Sequence, residues 1–467
     1  MKKIIKNFLG LILLLYSFIF IDSCKRQDDW LNVKRESRDV TPRNLDDYQA
    51  VLNNDNAMNK QFVTVGSVES DNLNLTSTAF LALPQREQDA FLWKRSIWDD
   101  QGGASLEWNN MFTVIENANI VLDGLQSINS NTAGYNNVKG QALFYRAIAY
   151  YTLAQLFCKP YDASSAGTDL GLPIRLSSDV NILYQRSSLQ KTYDQILGDA
   201  NAAAGLLDDQ PALDYRRPYQ YSCWGLLAKI YLVMNDYSNA GLYANKVLTN
   251  VSSLLDFNSS LVSATATYHF PANGLNNPEI LFYAVSGNYT TVSISTTNKA
   301  TVDSALYSSY DNNDLRKTYF YTNINGHGQY RGAYCGVAFY DFCGIATNEI
   351  YLIRAECFAR QGNTASAMSD LNTLLMKRYK TGTFTALTAG TANMALAIIL
   401  KERRKELPFT ADIRWEDLRR LNKDPNFQTT ITRTIGGTNY ILAPNDPKYV
   451  LPIPTNEVQL SGLQQNP

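Results

Sequence analysis

Hydrophobic positions recur at intervals of three and four through much of the chain, the spacing that stacks side chains on one face of an α-helix. From Trp108 to Leu125 the stripe runs Trp108, Met111, Phe112, Ile115, Ala118, Asn119 and Leu122, with Gly124 and Asn129 near its end. Gln141 to Phe157 repeats it with Phe144, Tyr145, Ile148, Tyr151 and Leu156, and Pro160 ends it by withholding the next donor. Ser187 or Ser188 caps a further helix whose buried stripe is Leu189, Tyr193, Ile196, Leu197, Ala200 and Leu207.

Two segments share a finer pattern. Leu227-Ala228-x-x-Tyr231 precedes Asn235-Asp236-Tyr237 and Ala240, and Arg354-Ala355-x-x-Phe358 precedes Gln361-Gly362-Asn363 and Ala367, so in each the alanines are 12 residues apart. Small residues there let antiparallel helices approach, the aromatic fills the space beside them, and the polar turn reverses the chain, as in a tetratricopeptide hairpin. Arg146-Ala147-x-x-Tyr150 offers a third helix of this type. Ala228 and Ala355 are 127 residues apart, far beyond the roughly 34 of a tandem array, so insertions must separate the hairpins. Generic helix pairs with small-residue contacts are the plainer alternative.

The period fades in two places. Residues 250–347 are rich in Ser, Thr, Asn, Gly and Tyr, and a second loop-rich stretch runs from Asp55 to Gly103. Long loops on a rigid helical body are where binding groups are expected. The reading is therefore a mostly α protein, a helical scaffold with tetratricopeptide-like hairpins and long loop insertions.

The N-terminus is of another kind. Lys2, Lys3 and Lys6 precede an apolar run from Phe8 to Ile21, which is too short for a bilayer core needing about 20 residues. Residues 1–23 are expected to be a signal peptide, and Cys24 after Ser23 resembles the acylated cysteine of a lipobox, although Asp22 is unusual there. Lys25-Arg26-Gln27-Asp28-Asp29 looks like the flanking sequence that sends lipoproteins of Bacteroidota to the cell surface. The mature chain, 24–467, would be held by lipid at the outer membrane of a Gram-negative bacterium.

Composition narrows the chemistry. Lys plus Arg number 42 against 43 Asp plus Glu, with no long basic block, so nucleic acid is not an expected partner. With Cys24 used for lipid, five cysteines remain without a CxxC pair, and only Cys335 and Cys343 lie near one another. Two histidines, His269 and His327, are too few for a His-rich metal site, and phosphate-loop, nucleophile-elbow and HExxH motifs are missing. No catalytic residue, metal or cofactor is expected.

The last quarter carries the specific signature: Glu402-Arg403-Arg404-Lys405-Glu406-Leu407-Pro408, then Arg414-Trp415-Glu416-Asp417-Leu418-Arg419, then Leu451-Pro452-Ile453-Pro454-Thr455-Asn456-Glu457, and Gln465-Asn466-Pro467 at the end. These elements, in this order from about residue 349, resemble the SusD/RagB family of outer-membrane lipoproteins. Thr410-Ala411-Asp412 departs from an acidic residue and glycine found in many members. Physically, Glu402, Arg403 and Glu406 sit on a helix ended by Pro408, Asp412 is placed to cap the next, and Arg414, Trp415 and Asp417 lie on that second helix. Charges interleaved around a buried Trp point to a paired ion network of structural purpose.

The resemblance implies a SusD-like fold and a non-enzymatic protein that binds a glycan, or in some members a peptide, and delivers it to a SusC-like TonB-dependent transporter. Aromatic faces stack on sugar rings while Asn, Asp and Arg bond hydroxyls, which makes Asp71, Asn72, Trp93, Trp98 and Tyr283 of the two loop regions the candidate ligand residues. Trp93 and Trp98 serve as readily as core plugs, and Asp71 as a turn cap. Two other classes stay open. A surface glycosidase would draw on Glu69 with Asp71 or Asp99 with Asp100, and a scaffold or adhesin would bind only protein.

Overall fold

The computed structural model describes residues 42–466 apart from 212–214, 288, 293–299, 333 and 338, so the signal segment and Cys24 lie outside the described residues. The helices expected from periodicity form, several of them opened by a side chain that accepts from an otherwise unpaired backbone N–H. Helix α1 (Leu106–Gly124) is capped by Ser105, and α2 (Tyr135–Phe157) starts six residues before the expected Gln141. Ser188 caps α3 (Leu189–Leu206), and α4 (Gln220–Val233) is followed by α5 (Tyr237–Asn250), capped by Asp236. Helices α6 (Thr347–Arg360) and α7 (Thr364–Met376) meet at a turn where Asn363 caps. Then come α8 (Ala392–Glu406), α9 (Ile413–Leu421) and the short α10 (Thr455–Ser461).

Successive helices from α1 to α5 pack on their neighbours, and α5 continues onto α6 and α7 across the intervening insertion. Ala228, Ala240, Ala355 and Ala367 are all fully buried, which is how the paired helices of each hairpin come close. Tyr231 stacks on Tyr243 with centroids 5.7 Å apart. The fold is mostly α, with short two-stranded ladders between helices.

The two loop-rich stretches hold more structure than periodicity suggests. Within 55–103 there are four short helices, Asp55–Met58, Val65–Glu69, Ser77–Leu81 and Gln85–Phe91, each of too few turns to show a repeat. Strand β1 (Leu73–Asn74) of this stretch pairs antiparallel with a strand of the other insertion, Thr301–Val302. Strands β2 (Leu170–Pro173) and β3 (Arg186–Ser188) bracket the loop between α2 and α3. Cys335 and Cys343 are separate free thiols, both buried, and burial pushes the Cys335 thiol up to about 12. Among the described residues no helix is long and apolar enough to cross a membrane.

Candidate functional site

The signature residues build a buried ionic frame. Arg403 of α8 meets Asp417 of α9 at 2.8 Å and Glu349 of α6 at 3.1 Å. Glu402 and Glu406 both take Arg316 from the insertion, and Glu406 also takes Arg378. Trp415 is fully buried against Tyr449, ring centroids 4.6 Å apart. Asp412 stands at the N-cap of α9, but its carboxylate accepts from Ser67 N at 2.8 Å instead of capping the helix. Arg316, Arg378, Arg403, Glu402, Glu406 and Asp417 each have an opposite charge, which is what makes their burial tolerable, whereas Asp412 has none and burial raises its carboxyl.

Of the five candidate ligand residues, Asp71 and Asn72 are drawn into the same frame, and Trp93, Trp98 and Tyr283 are enclosed by other contacts, contrary to the expectation that they face a ligand. Asp71 is clamped by Arg414 at 2.6 Å and by Arg404 at 3.2 Å, and these guanidiniums hold its carboxyl far below the usual range against the opposing effect of burial. Asn72 is fully buried, donating to Pro408 O and accepting from Arg404. Trp93 donates to Glu69 O and Trp98 to Pro452 O, with only 4% and 1% of their surface exposed. Tyr283 is buried and donates to Cys335 O. Rings so enclosed have no face to offer a sugar. The acidic pairs fare no better: Glu69 is buried, and Asp100 accepts from Arg86 N on an exposed turn.

An open aromatic cleft lies one layer outward from Trp98. Trp98 packs on Phe157, Phe157 meets Trp108 edge-on at 5.1 Å, and Trp108 meets the half-buried Phe112 at 4.8 Å. This ladder carries rigidity from the core to a cleft of about 530 Å³ floored by the first turns of α1. Its far wall is the loop between β2 and β3, where Tyr184 stands 5.9 Å from the Arg175 guanidinium. Arg175 reaches Glu116 at 3.5 Å, while Nε and Nη2 make no hydrogen bond. Glu457 of α10 closes one end, held by the Trp108 side chain, and burial raises its carboxyl against the pull of Arg175. Asn109 and Asn117 add amides to the lining. The rim is apolar: Val180, Ile182 and Leu183 are 71%, 43% and 68% exposed.

The two loop regions do converge at the base of α1. Glu87 accepts from the backbone and hydroxyl of both Thr290 and Thr291, and Tyr289 donates to Glu107, the residue beside Trp108. Phe112 was legible only as part of a helical stripe and Glu457 only as the end of a family signature element, while Glu116, Arg175 and Tyr184 carried no motif. One signal lay in the aliphatics Val180, Ile182 and Leu183 beside Tyr184 in the loop between β2 and β3. Among the described residues no cluster of His, Cys, Asp and Glu could hold a metal.

Comparison with known proteins adds to this geometry. A family model described as starch-binding associating with outer membrane matches residues 29–232, and one described as SusD family matches 307–467. SusD-like protein P2 of Formosa agariphila is 26% identical over 156 residues, which is 33% of this chain and 29%, under a third, of that protein. A SusD superfamily protein from Bacteroides thetaiotaomicron superposes with a TM-score of 0.70 at 22% identity, covering 91% of this chain and 99% of its own. A SusD-like carbohydrate binding protein from Bacteroides vulgatus gives 0.67 at 20% identity, covering 89% and 96%. At such identities the structural likeness speaks for the fold.

Proposed function

The chain belongs to the SusD family, and on that premise we propose that it is a non-catalytic surface lipoprotein that binds a nutrient glycan and delivers it to a SusC-like TonB-dependent transporter. The observation that carries this reading is the aromatic cleft on the family's fold. Phe112 and Tyr184 offer ring faces for the apolar side of a sugar, while Asn109, Asn117, Arg175 and Glu457 offer donors and acceptors for its hydroxyls. Arg175 faces Glu116 through Nη2 at 3.5 Å, and its Nε is enclosed without a hydrogen bond.

The apolar rim supports the second half of the proposal. Val180, Ile182 and Leu183 stand together at the cleft mouth, and exposed aliphatics grouped in this way suit a protein surface that closes over the ligand. The mature chain would begin at Cys24, with acyl chains at that residue as the anchor. A peptide is the runner-up cargo. Against an enzyme, both cleft carboxylates, Glu116 and Glu457, stand near the same guanidinium, an arrangement for gripping hydroxyls.

Calorimetry of the full-length protein in detergent against neutral oligosaccharides tests this reading. Saturable binding with the sugar recovered intact is expected, weakened at least tenfold by Phe112→Ala or Tyr184→Ala. Shortened products, or binding indifferent to both substitutions, would refute it. Cys24→Ala should move the protein out of the membrane fraction, and full retention there would refute the anchor.

A further inference from the structure

On the other side of the C-terminal tail from the aromatic cleft is a larger one, about 730 Å³, within the roughly 300–1,000 Å³ that takes small-molecule ligands. Its floor is Arg419 of α9, one turn beyond the buried Trp415. Arg419 is 2% exposed, and its Nη2 donates to Cys158 O, but Nε and Nη1 have no acceptor. No carboxylate among the described residues lies within ion-pair distance of it, in contrast to Arg403 and Arg420 of the same frame. Desolvation accordingly weakens its hold on the proton. Beside it in the lining, Asn422 Nδ2 and the Tyr449 hydroxyl are buried next to one another, the amide acting on the hydroxyl oxygen, and neither meets an acceptor elsewhere.

The other charges of the cleft are already balanced. Lys159 pairs with Asp169 at 2.7 Å and Lys423 with Asp162 at 3.1 Å, while Asp446 caps the turn at Pro447. Arg419 is thus a buried cation without a counter-charge at the bottom of an open cavity, flanked by two further donors. Nε–H and Nη1–H leave the guanidinium on different edges, so each can meet one oxygen of an anion in a charge-assisted contact.

We infer that this cleft is a second ligand site, in which Arg419, Asn422 and Tyr449 seat the carboxylate of an acidic sugar and the polar rim holds the neighbouring rings. The inference rests on the reading of the protein as a glycan binder, and it names a substrate class that the aromatic cleft does not. Hydroxyls of Ser165 and Thr168 and the amides of Asn445 and Gln464 line the mouth.

The test is calorimetry of the full-length protein in detergent with galacturonate and glucuronate trimers, each beside its methyl ester, which loses the charge and gains a methyl group, and beside the neutral trimer of the parent hexose, which loses the carboxyl altogether. At least one acid should bind saturably and its ester at least tenfold more weakly. Arg419→Gln should abolish the preference, with thermal melting to check that it folds. Thr168→Trp, an exposed position that fills the cleft without touching the core, should abolish acid binding, while Tyr184→Ala leaves it unchanged. No binding by either acid, equal binding of acid and ester, or acid binding lost in Tyr184→Ala but kept in Thr168→Trp would overturn the inference. Failure of neutral sugars at the aromatic cleft alongside retained acid binding here would refute only the first site.

Discussion

At the scale of single residues, the buried carboxylates divide by their partners. Asp71, between two arginines, adds stability above the unfolded carboxylate value near 3.9 and loses it only as pH falls through its much lower folded value. Asp341 is the opposite case: it is buried, its Oδ1 has no hydrogen bond, and desolvation with Asp412 nearby raises its carboxyl well above the usual range. Its contribution is complete below about 3.9 and is lost as pH rises through the folded value. Asp341→Asn should therefore match the parent protein near pH 4 and exceed it at pH 8 by about 1–3 kcal/mol, the cost of an unsatisfied buried group. Denaturant titration at the two pH values checks this, and equal stability at pH 8 would show that Asp341 is solvated. Sequence alone could not place these residues, because Trp98 in a loop-rich stretch reads equally as platform or plug until Pro452, 354 residues away, is seen to accept its N–H.

At the scale of elements, the long helices were legible because three or more turns repeat a stripe, and Ser188 marked its helix start correctly. Helices such as Val65–Glu69 were not, since five residues cannot show a period and their burial is decided by partners distant in sequence. That short helix docks on α9 through Gly66, where an added Cβ would lie 2.8 Å from both Asp412 Cγ and Trp415 Cβ. Gly66→Ala should push the two elements apart and cost about 1–3 kcal/mol, as overpacking does. A lower urea midpoint with an unchanged slope is the expected result, and an unchanged midpoint would mean the contact yields freely.

At the scale of the whole molecule, the C-terminal signature announced the family and the ionic frame behind it, because those charges sit close together in sequence. Neither cleft was legible. The aromatic one joins Phe112, Tyr184 and Glu457, and the acidic-sugar one joins Ser165, Arg419 and Gln464, sets that meet only once the tail has folded between β2 and α9. Arg419 and Glu457 stand in the signature elements, but Phe112, Ser165 and Tyr184 carry no spacing rule, and which of these side chains line a cleft is a property of the assembled surface. The most direct measurement of the central claim is a crystal structure of the protein with the neutral oligosaccharide that titrates best. The account expects an intact sugar lying between Phe112 and Tyr184 with a hydroxyl on Arg175; a sugar bound elsewhere with this cleft empty, or one cleaved in place, would contradict it.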